Sequence, residues 1–437
     1  MLGKIGIKAT GHTDKRDKGK VEKAKKIPKY NGPLSVKRST DPKVTLCMIM
    51  KNEEAHIGRC LESLKEYVDE IVIVDTGSTD KSMEIARSHG AQIYEYPWED
   101  DFSKARNQAM SHVKTEWIIQ LDADEEMDPD SAPNIRDVVR SAHKDPTCNL
   151  VYCTLVNKEI GSSDPNDEIS VINTGKIIRM GVGTYYRNRI HNRIMVEGNS
   201  RITGLKIIHY GYNLDAETMK KKALRTTTLL LKQYEELPED PETPYYLSIQ
   251  YMRAEDWDNC LKYAVEALEK FQKYEPGSQL ILLCYHIQAT VHYHRKDFDE
   301  AIRCSKAALE IYPSYLDANG LLSSIYFALK QYDNCFKQTM QYFACCDMIK
   351  KDPSKSLVIP MNTLKNEWVM NVQLAINFYE QSDSARAVAF LARAEELLKP
   401  EEKYKASFEV FKYLFSLGDP TSKARAEAIY KSGFRAG

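Results

Sequence analysis

The sequence predicts an α/β domain built on a mostly parallel sheet, followed by an all-α repeat domain. Two observations lead to this division. From residue 44 to residue 122, short apolar runs alternate with segments whose apolar residues recur at helical spacing. After residue 215 the strand-like runs end, and amphipathic helical segments follow one another. We therefore predict domains at residues 41–215 and 216–437.

The N-terminal domain alternates strand and helix. VTLCMIM at residues 44–50 is a buried-strand run, and NEEAHIGRCLESLK follows with helical spacing and with Asn52 placed to cap the helix. The alternation continues through EIVIVD, GSTDKSMEIARSHG, AQIYEY, SKARNQAMSHV and EWIIQLD. Because these strands are apolar almost throughout, both faces of their sheet are expected to be covered, which is typical of parallel strands.

The C-terminal segments fit a repeating helical hairpin. In the clearest unit Ala289, Phe298, Ala301 and Pro313 have the small–aromatic–small–proline spacing of a tetratricopeptide repeat, and Ser323 follows Ala289 after 34 residues. Three further segments repeat the pattern less closely. This recurrence favours an array of hairpins over one irregular helical domain. Such arrays form extended concave surfaces that bind peptides or partner subunits.

Composition and charge argue against several classes of protein. Lys and Arg total 61 against 62 Asp and Glu, so no overall charge favours nucleic acid. The 10 cysteines contain no C-x-x-C, and we expect reduced thiols rather than a disulfide framework. No apolar run approaches the roughly 20 residues of a membrane span, so a cytoplasmic protein is expected. Residues 1–40 are rich in lysine and predict a disordered basic arm.

Acidic residues close two of the predicted strands. Asp75 ends EIVIVD, and Asp122 and Asp124 close EWIIQLDAD. Ligands of open parallel sheets bind beyond the carboxyl ends of the strands. Residues two apart in an extended segment face the same way, so Asp122 and Asp124 can converge on a cation, and their hard oxygen ligands suit Mg²⁺ or Mn²⁺. On this chemistry alone, a solvated acidic turn is an equal alternative.

Four segments that follow one another in the chain favour a binding site over a solvated acidic turn. MIMKNEEAHIGRCLESL, IVIVDTGSTDKS, DFSKARNQA and WIIQLDADE follow one another in this order. Together they resemble the nucleotide-sugar half of a family 2 glycosyltransferase, whose GT-A fold is a single Rossmann-like domain. The resemblance is strong over residues 44–130 and weak over residues 150–213. It implies a metal-dependent, inverting transferase whose donor is a nucleotide-diphosphate sugar such as a UDP-sugar.

The resemblance also implies roles for individual residues. Asp75, with the loop from Thr76 to Ser78, would bind the base of the nucleotide. Arg106 would face the nucleotide or its phosphates, and Asp122 the ribose. Asp124 would bind the metal and act in catalysis, with Asp122 as a second metal ligand.

Two histidines lie in the less regular segment that follows. In glycosyltransferases with a helical-repeat tail, a Val/Ile-His-Glu motif and a later His-x-Gly-Tyr motif are common, and His191 and His209 resemble their histidines. The resemblance implies that His209 is a third metal ligand or a phosphate contact. It implies that His191 is a catalytic base or an orienting group on the acceptor side, although Asn192 replaces the motif's acid. A structural role is the alternative for each histidine.

The combination of transferase and repeats bears on the acceptor. It resembles bacterial enzymes that glycosylate Ser, Thr or Cys of peptides, including glycocin-type bacteriocin precursors. We therefore expect a peptide or protein acceptor, and the same resemblance implies a homodimer formed through the repeats. One alternative is a cytosolic transferase of cell-surface or lipopolysaccharide-type glycans. Another is an inactive transferase fold that serves as a scaffold.

Overall fold

The computed structural model describes residues 41–158, 168–181, 183–210, 216–351, 366–398, 405–418 and 420–430, with residues 357, 359, 361, 363 and 364. The predicted basic arm, residues 1–40, lies outside the described residues, as do Gly211 and Tyr212 of the second histidine motif. The chain divides into two compact units between Glu236 and Leu237. The helix after residue 215, which the sequence assigned to the repeats, therefore falls in the first unit.

Ten strands are described in the first unit. They are β1 (Val44–Met50), β2 (Glu70–Asp75), β3 (Gln92–Glu95), β4 (Trp117–Gln120), β5 (Glu125–Met127), β6 (Cys148–Lys158), β7 (Glu168–Arg179), β8 (Tyr185–Arg187), β9 (Arg193–Met195) and β10 (Asn199–His209). Eight form one sheet in the order β3-β2-β1-β4-β7-β6-β10-β5, and β8 pairs with β9. β1 to β4 pair in parallel, and so do β6 and β10. The predicted mostly parallel sheet is confirmed.

Helices cover both faces of this sheet. The first unit contains α1 (Ile57–Leu64), α2 (Ser82–Ser88), α3 (Phe102–Ser111), α4 (Ile135–Lys144) and α5 (Ala216–Glu236). Alternate residues of β1 belong to two separate core clusters. Leu46 and Met48 pack with Leu61 of α1, whereas Cys47 and Ile49 pack with Ala109 of α3. Since alternate residues of a strand face opposite ways, the sheet is buried on both sides, as its apolar strands predicted.

The second unit is helical. It contains α6 (Glu242–Arg253), α7 (Trp257–Tyr274), α8 (Leu280–His294), α9 (Phe298–Ile311), α10 (Leu316–Ala328), α11 (Tyr332–Lys351), α12 (Glu367–Glu380), α13 (Ser384–Leu397), α14 (Lys405–Leu417) and α15 (Pro420–Ile429). Consecutive helices pack in pairs from α6/α7 to α14/α15. The predicted array of helical hairpins is confirmed.

The turn inside the hairpins follows a common design. A residue with positive φ follows the C-cap of the first helix, and the aspartate after it caps the second helix by accepting a backbone N–H. Three turns share it: Glu255–Asp256, Lys296–Asp297 and Ser382–Asp383. The sequence pattern of the repeats is therefore matched by a repeated local geometry.

All ten cysteines are buried and free. Burial raises the pKa of several of their thiols, to about 12 for Cys47 and Cys153. Such thiols are not ionised near neutral pH, and the thiolate is the reactive form of cysteine. Among the described helices, none is long and apolar enough to cross a membrane.

Candidate active site at the carboxyl edge of the sheet

The strand topology brings four predicted site residues to one edge of the sheet. Asp75 ends β2, Asp122 and Asp124 follow β4, and His209 ends β10. β7 is antiparallel to both β4 and β6, so β6 and its parallel partner β10 run in the direction of β4. All four residues therefore lie at the carboxyl ends of strands that share one direction, where ligands of such sheets bind.

Asp75 holds the loop that follows β2. Its side chain is buried, and Oδ2 accepts the backbone N–H groups of Gly77 and Ser78 at 2.9 and 2.8 Å. Ser78 Oγ donates to the other oxygen at 2.5 Å. Gly77 has φ +105°, a conformation that favours glycine. Thr76 donates to the carbonyl of Met50 from both its backbone N–H and its hydroxyl. The carboxylate thus shapes the predicted base-binding loop from within.

Asn52 joins the loop after β1 to the Asp75 loop. Its Oδ1 accepts the N–H of Thr79 at 2.8 Å, and its own N–H donates to Ser78 Oγ at 2.9 Å. Helix α1 begins later, at Ile57, and has no side-chain cap. The predicted capping role of Asn52 is therefore wrong, because this side chain satisfies a neighbouring loop instead of the helix.

Arg106 and Asp122 form an ion pair after strand β4. Arg106 Nη2 donates to Asp122 Oδ1 at 2.7 Å, and Nε donates to Asn192 Oδ1 at 3.2 Å. Burial alone would raise the pKa of Asp122, but Arg106 and Lys176 hold it well below its usual range. The Nη1 atom of Arg106 is buried and has no hydrogen-bond partner among the described residues. The guanidinium is therefore held by Asp122 and Asn192 and keeps one donor without a described partner.

Asp124 and His209 meet across strands β5 and β10. His209 Nε2 lies 3.2 Å from Asp124 Oδ2, and Nδ1 lies 2.6 Å from Asn157 Oδ1. With an oxygen opposite each ring nitrogen, the doubly protonated imidazolium satisfies both contacts. Burial opposes this charge, but the Asp124 carboxylate outweighs it and raises the pKa of His209. The structure thus brings together two of the three predicted metal ligands.

The spacing of this pair fits a divalent cation. Two adjacent ligands of an octahedral Mg²⁺, each about 2.1 Å from the ion, lie about 3 Å apart, close to the distance between Asp124 Oδ2 and His209 Nε2. Asp122 Oδ1 already accepts from Arg106 and, at 3.2 Å, from Gln120. Within the described parts of the chain, no group of three His, Cys, Asp or Glu side chains has the spacing of a metal site. A cation on Asp124 and His209 would therefore draw further ligands from water or substrate.

A buried ion pair next to Asp122 was not predicted. Glu125 accepts from Lys176 Nζ at 2.8 and 2.6 Å, and both side chains are almost completely buried. Glu125 Oε2 also accepts the backbone N–H of Asp122 at 2.9 Å. Burial raises the pKa of Glu125. In the run DADEE this carboxylate is therefore structural, since it fixes the turn that presents Asp122.

Glu126, the last acid of the run DADEE, contacts helix α1 and the residue after β10. Its carboxylate accepts from Arg59 Nε at 2.9 Å and from the Tyr210 hydroxyl at 2.6 Å, and the Arg59 guanidinium lies 4.2 Å from the centre of the Tyr210 ring. Tyr210 directly follows His209. The contact therefore ties the end of β10 to helix α1 next to the predicted metal ligand.

Glu53 is a further carboxylate that the sequence reading did not single out. It is half-buried after β1, and burial, together with the charges of Asp124 and Asp122, raises its pKa to about 7. Lys222 of α5 acts in the opposite direction. Its sequence signal is its place in KNEE, within the first of the four motif segments, where only Asn52 has a predicted role.

The loop between β8 and β9 carries His191 and Asn192. His191 is exposed with φ +49°, and Asn188 has φ +78°, so two of the loop's residues have left-handed backbone. Asn192 accepts from Arg106 and donates to the carbonyl of Asn188 at 2.6 Å. The structure therefore brings Asn192, rather than an acid, to the Arg106–Asp122 pair, and His191 lies beside that contact in the chain.

Side chains of helix α5 bind the loop between β8 and β9. Gln233, which is 1% exposed, accepts the Ile190 N–H at 3.3 Å. Glu236 pairs with Arg189, with 2.7 Å between Nε and Oε2. The carbonyl of Arg189 in turn accepts the N–H of Phe102, the first residue of α3. Residues of α5 therefore support the site, although its sequence pattern looked continuous with the repeats.

For the sugar transfer that the sequence resemblance implies, Gln233→Leu is expected to lower kcat by about 10- to 100-fold with little change in donor KM. Leucine cannot accept the Ile190 N–H, so the left-handed loop loses a restraint on Asn192. Gln233→Glu keeps an acceptor oxygen and should restore part of the rate. Glu235→Gln, on an exposed position of the same helix, is the control. Wild-type kinetics for Gln233→Leu would show that α5 does not position the loop.

Comparison with known protein families agrees with this geometry. Residues 45–194 match the family described as glycosyl transferase family 2. The N-terminal domain belongs to that family. Residues 241–314 match the tetratricopeptide repeat family. The predicted order, a GT-A glycosyltransferase domain followed by tetratricopeptide repeats, is confirmed. The family match ends before α5, which only the structure connects to the site.

Three curated relatives share parts of the chain. A TPR repeat-containing protein of Synechococcus elongatus is 30% identical over 278 residues, 61% of this chain and 66% of the relative. The SPbeta prophage-derived glycosyltransferase SunS of Bacillus subtilis is 24% identical over 257 residues, 56% of this chain and 59% of SunS. An uncharacterized glycosyltransferase of Rickettsia bellii is 36% identical over 103 residues, 24% of this chain and 35% of the relative. The chain thus spans between about a third and two thirds of the lengths of these proteins.

Proposed function

We propose that the protein is a metal-dependent glycosyltransferase that moves a sugar from a nucleotide diphosphate, with a UDP-sugar as the expected donor, to a polypeptide. One observation carries this proposal. At the carboxyl edge of a family 2 glycosyltransferase sheet, the Asp75 loop, the Arg106–Asp122 pair and the Asp124–His209 pair come together. In this proposal these groups would provide a loop for the base, a cation for the phosphates and ligands for a metal.

The donor would lie along this edge. The Asp75 loop, with Thr76 and Ser78, would bind the base, and Asp122 would face the ribose while it keeps Arg106 in place. The Arg106 guanidinium, whose Nη1 has no hydrogen-bond partner among the described residues, would supply positive charge for the phosphates. Asp124 and His209 would hold Mg²⁺ or Mn²⁺, which when bound stabilises negative charge on the departing diphosphate. As a metal ligand His209 would be neutral with its proton on Nδ1, and this N–H would donate a hydrogen bond to Asn157 Oδ1.

The acceptor would approach from the loop between β8 and β9. Asn192 accepts a hydrogen bond from Arg106 and cannot take up a proton, so it cannot serve as the base that the family motif contains. His191 is the exposed titratable group beside it. We assign to His191 the removal of a proton from the attacking Ser, Thr or Cys side chain as that side chain displaces the nucleoside diphosphate from the anomeric carbon of the sugar, with inversion. The repeat unit supports a polypeptide acceptor, since helical-repeat arrays bind extended chains.

The deciding experiment measures release of nucleoside diphosphate by the purified protein from a panel of nucleotide sugars, with Mn²⁺ and with EDTA. We expect slow hydrolysis of one donor that EDTA abolishes. If no donor is hydrolysed and calorimetry detects no binding of any nucleoside diphosphate, the transferase assignment fails. A donor turned over equally well in EDTA would remove the metal from the proposal.

His191→Ala is expected to separate donor chemistry from acceptor chemistry. Because the side chain lies on the loop and not at the Asp124–His209 pair, donor hydrolysis and metal requirement should stay within about twofold of wild type. Transfer to acceptor should fall by about 10²- to 10⁴-fold, the usual contribution of a general base. Arg187→Ala, in β8 just before the loop, is the matched control. Parallel loss of hydrolysis and transfer in His191→Ala would count against the acceptor-side role.

A further inference from the structure

Strand β8 is attached to helix α3 by a pair of hydrogen bonds at Tyr186. The Asn107 side chain donates from Nδ2 to the Tyr186 carbonyl at 2.8 Å, and its Oδ1 accepts the Tyr186 N–H at 2.6 Å. Asn107 directly follows Arg106 in α3. Both backbone groups of Tyr186 are therefore held by the residue next to the arginine of the site.

The Tyr186 ring lies below the Arg106 guanidinium. The side chain is buried, at 5% exposure, in the core cluster that contains Cys47 and Ile118. The centre of the ring is 5.5 Å from the Arg106 guanidinium. The gap that remains between Tyr186, Arg106 and Gln120 is too small for a water molecule. The Tyr186 hydroxyl must therefore find its hydrogen-bond partner in the protein.

That partner is the side chain of Gln120, the last residue of β4. The Tyr186 hydroxyl lies 3.3 Å from Gln120 Oε1, and Gln120 Nε2 lies 3.2 Å from Asp122 Oδ1. An ionised carboxylate only accepts, so the NH₂ group of Gln120 must face Asp122 and its carbonyl must face Tyr186. Burial raises the pKa of Tyr186, so the hydroxyl keeps the proton that it donates. The two bonds thus run in one direction, from Tyr186 through Gln120 to Asp122.

These bonds leave one oxygen of Asp122 for a ligand. Oδ1 accepts from Gln120 and, at 2.7 Å, from Arg106. Oδ2 has no hydrogen-bond partner among the described residues, and the side chain is partly exposed. Two donors on one carboxylate oxygen fix the plane of the group, so that the other oxygen points in one direction. Asp122 is therefore arranged to accept a hydrogen bond from a ligand through Oδ2.

We propose that Tyr186 is a positioning residue that fixes Asp122 through Gln120, so that Asp122 Oδ2 selects for a ribose hydroxyl of the donor. Tyr186 does not itself touch the donor. The inference rests on the proposed function, in which Asp122 faces the ribose, and it assigns the specificity for ribose to a buried residue on a different strand.

The test is calorimetry with UDP and with its 2′-deoxy and 3′-deoxy analogues, in Mn²⁺. A hydrogen bond to a charged group is worth at least about tenfold in affinity, so wild-type protein should bind UDP at least about tenfold more tightly than one of the analogues. Tyr186→Phe keeps the ring below Arg106 but no longer holds the Gln120 carbonyl. The variant should lose affinity for UDP and not for that analogue, and the ratio should fall below about threefold. Loosened packing alone would weaken both nucleotides alike.

Tyr185→Phe is the matched control. It removes the same atom from the neighbouring position of β8, where the side chain faces the other way, and it should keep the wild-type ratio. Gln120→Leu should lower the ratio as Tyr186→Phe does. Combining Gln120→Leu with Tyr186→Phe should add no further loss, because the hydroxyl acts through Gln120.

An unchanged ratio in Tyr186→Phe that melts like wild type would overturn the inference, and so would additive losses in the double variant. Equal binding of UDP and both analogues by wild type would also overturn it. If Tyr186→Phe does not fold, the ratio in Gln120→Leu decides, since retained discrimination would refute the link.

Failure of the proposed donor is a separate result. If wild-type protein does not bind UDP, the UDP assignment fails, and the link is tested without nucleotide. Hydrogen exchange of the Gln120 side-chain amide, followed by NMR, should be faster in Tyr186→Phe than in wild type or Tyr185→Phe. An unchanged exchange rate would refute the positioning role.

Discussion

Asp124→Asn is expected to lower metal-dependent sugar transfer by about 10²- to 10³-fold while the melting temperature stays close to that of wild type. Asparagine keeps the size of the side chain and an oxygen opposite His209, but it loses the charge that would bind a divalent cation. The backbone carbonyl of Asp124, which accepts the Tyr210 N–H at 3.2 Å, is unchanged, so the strand end should persist. Transfer and donor hydrolysis are measured over a Mn²⁺ titration.

Asp130→Asn is the matched control for this experiment. Asp130 belongs to the same acidic stretch but is exposed and lies beyond β5. Its substitution should leave both the rate and the Mn²⁺ dependence as in wild type. A rate for Asp124→Asn within about twofold of wild type at saturating Mn²⁺ would remove Asp124 from the metal site.

Lys176→Met is expected to destabilise the first unit by about 3–5 kcal/mol, the usual cost of leaving one partner of a buried ion pair alone. Glu125 would remain buried without its counter-ion, and its pKa, already raised by burial, would rise further. A carboxyl group whose pKa is higher in the folded than in the unfolded state favours folding below its unfolded pKa, and this contribution is lost as the pH rises through the folded pKa. The loss in the free energy of unfolding caused by Lys176→Met should therefore be smaller at pH 5 than at pH 8. Urea unfolding at the two pH values measures this difference.

Lys65→Met provides the comparison on the surface. Lys65 pairs with Glu62 at 2.6 Å in helix α1, but both side chains are well exposed. Solvent screens such a pair, so its loss should have little measurable effect on unfolding. Equal destabilisation by the two substitutions would mean that the Lys176–Glu125 pair does not support the site from the interior. Loss of transfer by Lys176→Met in protein that is still folded would show that the pair also fixes the Asp122 turn.

Local patterns were sufficient to predict the four parallel strands β1 to β4 and most of the site residues at their carboxyl edge. Apolar runs define β1, β2 and β4 with little ambiguity, and the rule for carboxyl ends places Asp75, Asp122 and Asp124 together without knowledge of the rest of the fold. His209 is different. It is 85 residues from Asp124, and its position depends on the pairing of β10 with β5 and β6, so only the family resemblance pointed to it.

Tertiary context decides the features that the sequence did not reveal. In DADEE each acid has the same local chemistry, and only the approach of Lys176 from β7 makes Glu125 an interior group. Glu53 acquires its raised pKa from burial and from carboxylates on another strand end. Helix α5 has an amphipathic pattern like that of the repeats, and its contact with the loop at residues 188–192 has no counterpart in sequence spacing.

Because the ten thiols are buried and protonated, the native protein should react only slowly with thiol-specific reagents. A thiol-specific reagent added to the folded chain reaches a cysteine only when the surrounding structure opens, so its labelling rate measures the free energy of that local opening. The ten thiols are distributed through both units, from Cys47 in β1 to Cys346 in α11. Mass spectrometry of labelled peptides can thus compare opening of the sheet with opening of individual hairpins, in one sample and without mutation. A single cysteine introduced on the surface would, in turn, be labelled long before the native ones.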